Sequence, residues 1–317
     1  MSSMLKLIHN EQLKIYTKKS TWLMYLILAG LIFTFAFSVN YYGVPNEEYQ
    51  VDNWQQVLQE ENQNLEQEMK KDKFKTAYHS YIIEKNNYYL EHDIQPAAYD
   101  AWNFTGETSE IIIVVGLLSI IVAGGIVANE FRWGTIKLLL IRPIERSKIL
   151  FSKYVAVLLF ALYTLLFLFI TAWITGAIFF GISEVDATIV KDATDGFRSV
   201  PLFKDILTNY SFPLVDLLMM TTLAFMISTV FRNSSLAIGV SLFLLMGGSS
   251  FVQMFADKDW VKYILFANTN LRQYTAGNTP FAEGMTLGFS LTVLIVYYVI
   301  FIVTSWIVFK KRDVAGQ

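Results

Sequence analysis

Residues 111–128 read IIIVVGLLSIIVAGGIVA, 18 consecutive residues without one charge. A helix of about 20 apolar residues crosses the roughly 30 Å hydrocarbon core of a bilayer and satisfies its own backbone hydrogen bonds there. Five further runs meet this test and carry at most one charge each: 21–39, 155–182, 212–231, 235–255 and 287–309. The sequence therefore predicts an all-α polytopic membrane protein with six transmembrane helices.

The overall composition favours lipid as the solvent. Of the 317 residues, 54% are hydrophobic and only 16% charged, and the mean hydropathy is +0.41. A net charge of −2 gives no basic field to attract a nucleic acid backbone, so we expect no nucleic-acid partner. The chain has no cysteine, which excludes disulfides and thiolate chemistry.

The distribution of charge predicts the orientation. With six spans, both termini lie on one side of the membrane, together with segment 129–154. These short segments are rich in Lys and Arg, whereas most Asp and Glu lie in the longer loops on the opposite side. Short basic segments stay in the cytoplasm. We therefore expect a multi-pass protein of the cell (plasma) membrane with both termini cytoplasmic, including the tail 310–317.

The segments outside the spans differ in pattern. Residues 1–20 predict an amphipathic helix on the inner membrane surface, with a short soluble tail as the alternative. Residues 40–110 predict a helical extracellular subdomain because apolar residues recur at helical spacing from Trp54 and tyrosines follow in 74–90; a poorly ordered acidic loop is the alternative. Residues 183–211 show no clear pattern. Residues 256–286 predict short re-entrant or interfacial helices, since moderately apolar stretches are broken by Asn, Gly and Pro.

Residues for catalysis or metal binding do not stand out. No Gly-Lys dipeptide occurs, so the phosphate-binding loop of many ATPases is absent. The three histidines are His9, His79 and His92, and the predicted orientation separates His9 from the other two. We expect solvated surface histidines, although His79 and His92 could approach each other. We predict no catalytic residue, no metal site and no cofactor bound by this chain.

Two polar features lie within predicted spans. Asp216 falls about one turn inside the fourth span, where an ionisable group suggests function, although Pro213 makes an interfacial helix start an equal explanation. Gly247, Gly248 and Gln253 belong to a polar small-residue cluster in the fifth span. Close helix packing is the first explanation of this cluster, and a hinge or part of a translocation path is the second.

The most distinctive segment is NEFRWGTIKLLLIRPIERSKIL, residues 129–150. It resembles the first cytoplasmic loop of ABC-2 type permeases, in which a Glu, Gly-Thr, a Leu pair, Pro, Arg and Lys recur at these spacings. The resemblance extends to six spans, an interfacial amino-terminal helix and a basic tail. It implies that the segment couples the membrane helices to an ATPase through Glu130, Arg132, Trp133, Gly134, Thr135, Leu138, Leu139, Pro143 and Arg146.

The residue types agree with this role. Trp133, Ile136 and Leu139 would be apolar knobs among basic residues, and aromatic and Arg side chains are common anchors in protein grooves. The pattern alone also fits a turn attracted to anionic lipid at the membrane surface. Gly134 would permit a turn or a close backbone approach. Glu145 would lie on the solvated side.

The resemblance implies the membrane subunit of an ABC exporter. Its partners would be an ABC ATPase subunit that binds ATP and Mg, a second permease chain, identical or sister, and membrane lipid. The long first external loop is more similar to permeases of Gram-positive peptide-antibiotic export and immunity systems. The substrate would be amphiphilic or apolar, such as an antimicrobial or toxin-like peptide. The alternative is a non-transporting sensor or immunity protein whose extracellular subdomain captures a cationic peptide. A secondary transporter would need internal repeats and intramembrane charges, which are not seen.

Overall fold

The computed structural model describes residues 2–71, 73–136, 144–183, 187–193, 196–275 and 278–311. Six helices in it are long and apolar enough to cross a membrane, which confirms the predicted fold class. We call them spans 1 to 6: Lys19–Tyr42, Ala101–Arg132, Arg146–Phe180, Leu202–Phe231, Ser234–Met254 and Leu287–Lys311. An amino-terminal helix, Ser2–Tyr16, precedes them. The side of the bundle with this helix is called the near side, and the opposite side the far side.

Three spans are longer than their apolar runs. Span 2 begins with the helix Ala101–Glu107 and a 3-10 turn, Thr108–Ile111, before the helices Ile112–Ile126 and Ala128–Arg132. Span 3 is one helix of 35 residues, which begins nine residues before the apolar run and ends at Phe180. Span 4 begins at Leu202, ten residues before its apolar run. The added turns are amphipathic, so hydropathy alone does not detect them.

Spans 2 and 4 form the centre of the bundle. About 61% of the most apolar stretch of each is buried, against 17% for spans 1 and 6. Span 4 packs against spans 2, 5 and 6, and span 3 carries span 1 and the amino-terminal helix. The outer faces of spans 1, 5 and 6 expose large apolar side chains such as Trp22, Phe243 and Ile295. These faces suit lipid or another apolar surface.

The far side carries a small folded subdomain. Helices Trp54–Lys71 and Thr76–Glu91 form an antiparallel hairpin, in which Asn62 accepts a hydrogen bond from Asn86 and donates one to Asn87. Leu58 and Tyr89 pack in its core with Val190. Val190 belongs to β1, Thr188–Ala193, which pairs antiparallel with β2, Gly196–Pro201. The segment 183–211 thus contains a β-hairpin and the start of span 4.

The segment between spans 5 and 6 holds short helices. They are the 3-10 turns Asp259–Tyr263 and Leu271–Tyr274 and the helix Leu265–Asn268. Asn268 is fully buried, donates to the carbonyl groups of Lys262 and Ile264 and accepts from Ser290. These bonds satisfy irregular backbone inside the protein and tie the segment to span 6.

Candidate functional site

A buried ion network joins three helices on the near side. Lys153 is fully buried, and its Nζ lies 2.8 Å from Glu11 Oε2 and 2.9 Å from Glu130 Oε1. Lys14 Nζ lies 2.8 Å from the same Glu130 oxygen and 3.0 Å from Glu11 Oε1. Two carboxylates thus face two ammonium groups, and each charge that leaves water has partners of opposite sign.

The helices position these charges from distant parts of the chain. Glu11 and Lys14 are three residues apart on the amino-terminal helix, Glu130 lies in the last turn of span 2, and Lys153 lies early in span 3. Gln12 Nε2 adds a hydrogen bond of 2.8 Å to the Ala156 carbonyl. The network therefore holds the amino-terminal helix and spans 2 and 3 in one arrangement.

The charges of the network also act on Lys14. Burial alone would lower the pKa of Lys14, but its hydrogen bonds and attraction to Glu130 and Glu11 outweigh burial and raise that pKa above its ordinary 10.5. Lys14 is therefore positively charged at neutral pH. Nearby Lys18 forms no ion pair with the residues that the structure describes, and burial lowers its pKa.

A tight turn follows Glu130. Gly134 has a φ of +70°, which favours glycine, and no atom lies within 4 Å of where its Cβ would be. Gly134 therefore serves the turn and not a close approach. The Thr135 hydroxyl donates a hydrogen bond to the Glu130 carboxylate, and this bond holds the end of the turn against its start. Beside it lies a cavity of about 400 Å³, lined by residues such as Lys18, Asn129 and Trp133.

The turn presents a basic aromatic surface. Trp133 is 56% exposed, and Arg132 and Lys18 lie 5.6 and 5.7 Å from its ring centroid. Arg132 is also exposed. Ile136 is buried in the bundle core, so its prediction as an exposed knob was wrong: the turn directs it back between the helices. We call Lys18, Arg132 and Trp133 the near-side surface.

The structure describes only part of the predicted coupling segment. Leu138, Leu139 and Pro143 lie outside the described residues. Arg146 begins span 3 and donates to the Lys310 carbonyl at 3.3 Å, which links spans 3 and 6. Glu145 is exposed, as predicted, and the structure pairs it with Lys148.

The structure separates the polar residues of spans 4 and 5. Asp216 lines a cavity of about 480 Å³ in the far half of the bundle, together with Ser249 and Thr269. Gly248 lies against the ring of Phe266, where a Cβ would overlap the ring, so it serves packing. Gly247 faces open space and Gln253 is exposed. Neither Gly247 nor Gln253 lines the Asp216 cavity.

The histidine prediction was wrong for one residue. His79 is buried in the far-side hairpin, with its Nε2 3.7 Å from Glu68, whereas His92 is exposed and stacks on Tyr88. His79 lies in the helix Thr76–Glu91 and His92 directly follows its end, 13 residues and roughly 20 Å away, so the two do not meet. Within the part of the chain that the structure describes, no group of three or more His, Asp or Glu could hold a metal ion.

Sequence reasoning missed several residues of these sites. Lys153, Glu11 and Lys14 were expected only as charges of the cytoplasmic side and not as partners, because lysines that flank an apolar run are the ordinary pattern of a cytoplasmic segment. Arg272 was also missed. It donates to Glu110 at 2.9 Å and to the Asn209 carbonyl at 3.0 Å, and so ties the segment between spans 5 and 6 to spans 2 and 4.

Comparison with known proteins gives the family. Residues 73–315 match the model of a protein family of unknown function, DUF2705. The chain belongs to this family. It is similar to the uncharacterized protein YhcI of Bacillus subtilis (strain 168), at 44% identity over 317 residues, 99% of this chain and 100% of the relative. The uncharacterized membrane protein YdbK of the same organism is 37% identical over 217 residues, 67% of this chain and 84% of the relative. This DUF2705 protein is a multi-pass membrane protein.

Proposed function

We propose that this DUF2705 protein is the membrane permease subunit of an ATP-driven exporter whose ATPase is a separate chain. One observation carries the proposal: the exposed near-side surface is continuous with the buried ion network. A partner that moves Trp133 acts on Glu130 three residues away, and Glu130 is tied to Lys153 and Lys14. A push at the surface therefore reaches spans 2 and 3 and the amino-terminal helix together.

The chemistry of the surface supports an ATPase groove as the binding partner. An exposed indole flanked by Arg132 and Lys18 offers an apolar anchor with cationic neighbours. The segment resembles the coupling loop of ABC-2 type permeases, and the sequence holds no phosphate-binding loop of its own. ATP and Mg would bind in the partner, and closure of two ATPase subunits would drive the spans between two arrangements.

The proposal includes a second permease chain and an outward-moving substrate. Spans 1, 5 and 6 have wide apolar faces that a second copy or a sister chain could cover, with lipid on the remainder. The substrate would be amphiphilic or apolar. The Asp216 cavity and the far-side segment around Arg272 lie at the exit end in the orientation that the charges predict.

The first test is co-purification with an ATPase. The tagged chain is purified from its native membrane in mild detergent, and retained proteins are identified and assayed for Mg-ATP hydrolysis. We expect an ATPase subunit with a phosphate-binding loop. Trp133→Ala should lower its retention about tenfold or more, because truncating a buried aromatic anchor costs about 2 kcal/mol.

The matched control is Trp260→Ala on the far side. Trp260 is 49% exposed, similar to Trp133, and packs on Phe255. Its truncation should leave retention and ATP hydrolysis unchanged. Equal retention by the Trp133 and Trp260 variants, with equal export, would remove the near-side surface from the coupling role. Binding of a cationic peptide to the lone chain, with no ATPase retained, would favour the sensor or immunity protein instead.

A further inference from the structure

A large cavity lies on the far side between the subdomain and the bundle. Its volume is about 1070 Å³. Spans 1 and 2 form its lower wall, the hairpin helix Thr76–Glu91 and β1 form its upper wall, and the start of span 4 closes one side. The ion network and the near-side surface lie at the opposite end of the spans, so this cavity is a separate site.

The two walls differ in chemistry. The lower wall is apolar at Leu31 and Phe35 of span 1 and at Ile113 and Val114 of span 2, whereas the start of span 2 adds polar groups, among them Glu107 and Glu110. The upper wall carries polar groups, among them the phenols of Tyr81 and Tyr89. Leu31 and Ile113 are 43% and 55% exposed, so the lower wall opens toward the surrounding lipid. A ligand that fits both walls has an apolar tail and a polar head.

The carboxylates that line the cavity already have partners. Glu107 accepts from Tyr99 at 2.5 Å, and Asp192 from Tyr81 at 2.9 Å. Asp205 pairs with Lys191 at 2.9 Å, and Glu110 with Arg272 at 2.9 Å. These contacts occupy the four acidic groups and two of the three cations.

Lys85 is the remaining cation of the lining. It is half-buried and makes no hydrogen bond or ion pair with any residue that the structure describes. Burial lowers its pKa, and the nearby charge of Lys191 adds to that effect while Asp192 opposes it. An ammonium group held partly out of water without a partner is unfavourable, and an anion beside it would relieve that cost.

We propose that this cavity binds an amphiphile with an anionic headgroup, its head at Lys85 and its tail between spans 1 and 2. The tail enters from the bilayer through the open lower wall. That such an amphiphile is the substrate of the exporter rests on the proposed function. That the cavity binds it can be tested on this chain alone.

The test is photo-cross-linking of the purified full chain in nanodiscs of a zwitterionic lipid. The probes are a long-chain fatty acid and an alkylamine of equal length, each with a diazirine in the tail. We expect the acid to label segments 31–35 and 111–114, and the amine to label them at least about tenfold less, because a charge-assisted bond is lost. Span 6, which both probes reach from lipid, is the internal reference.

Three variants locate the headgroup. Lys85→Gln should lower labelling of the two segments by the acid about tenfold relative to span 6. Lys85→Arg should retain it, since it keeps the charge. Lys70→Gln, on the exposed face of the other hairpin helix, should also retain it. The Lys85→Gln protein should fold, because Lys85 is half-buried and makes no hydrogen bond or ion pair with the residues that the structure describes.

Several results would overturn the proposal. They are equal labelling by amine and acid, stronger labelling by the amine, and unchanged labelling in Lys85→Gln. Competition by acetate as effective as that by an unlabelled fatty acid would show a site for a soluble anion and not for an amphiphile. ATPase retention is measured without these probes. A failure of the cross-linking test can therefore be distinguished from a failure of the proposed exporter function.

Discussion

At the residue scale, Lys153 is the charge with the largest expected contribution to stability. It is fully buried between Glu11 and Glu130. Lys153→Met keeps much of the volume but leaves two carboxylates with only Lys14. Removing one partner of a buried pair costs about 3–5 kcal/mol, because the remaining charge stays desolvated. We expect a markedly lower unfolding temperature in detergent and easier proteolysis of the amino-terminal helix.

Lys148→Met is the matched control for Lys153→Met. Lys148 lies five residues earlier on the same span, is 52% exposed and pairs with exposed Glu145 at 3.1 Å. Exposed pairs contribute about 0–1 kcal/mol, so this variant should unfold like the parent. Equal unfolding temperatures for the two variants would contradict a structural role of the network.

Lys85 predicts a dependence of subdomain stability on pH. Burial lowers the pKa of Lys85 below its ordinary 10.5, so the unfolded chain binds more protons than the folded chain between these two values. The free energy of unfolding should therefore rise with pH across that window. Hydrogen exchange of the far-side hairpin at about pH 8 and about pH 10, as the difference between parent and Lys85→Gln, measures this contribution. A difference that is constant or falls with pH would exclude it.

At the element scale, Gly248 sets the distance between span 5 and the short helix Leu265–Asn268. A Cβ at this position would overlap the ring of Phe266, whereas one at Gly247 would meet nothing within 4 Å. Gly248→Ala should therefore cost about 1–3 kcal/mol through overpacking, and Gly247→Ala should be neutral or slightly stabilising. Thermal unfolding of the two variants in one detergent decides the point. Equal stability would mean that Phe266 can move aside.

The elements that the sequence predicts are those with a continuous apolar signal. All six spans follow from apolar runs with at most one charge each, and the far-side hairpin follows from the spacing of Trp54 and Leu58. The start of span 2 was missed because Asn103, Thr105 and Glu107 read as loop residues. In the structure Asn103 and Thr105 bond to backbone carbonyls, and Glu107 accepts from Tyr99. Burial by distant elements is not visible in a local window.

The start of span 4 was detectable. Leu202, Ile206 and Tyr210 are buried and recur every four residues, which is a helical pattern in a segment read as irregular. The β-hairpin was not detectable from the sequence, because its strands are short and half-buried. Their burial pattern is not a strict alternation.

The residues of the candidate site likewise divide into those that a local sequence motif contains and those that depend on distant contacts. Glu130, Trp133 and Gly134 were found because a local motif contains them. Lys153 was not, since its partner Glu11 lies 142 residues away and no spacing rule joins them. The role of Gly134 as a turn residue needed its φ, which the sequence does not give.

At the scale of the whole molecule, lipid contact and charge distribution determine how the protein sits in the membrane. Basic residues of the near side include Lys6, Lys148 and Lys310, and the far-side segments together hold most of the acidic residues. Positively charged short segments stay in the cytoplasm. The near side is therefore expected in the cytoplasm, where an ATPase subunit has access to ATP.

Single-cysteine labelling tests this orientation without background, because the chain has no cysteine of its own. Lys71 ends the first helix of the far-side hairpin, and Lys148 lies at the near-side start of span 3; both are exposed. On intact cells an impermeant maleimide should label Lys71→Cys and not Lys148→Cys. After permeabilisation both should react, which controls for accessibility. The reverse pattern on intact cells would place the near-side surface outside, out of reach of a cytoplasmic ATPase, and would refute the coupling proposed for Trp133.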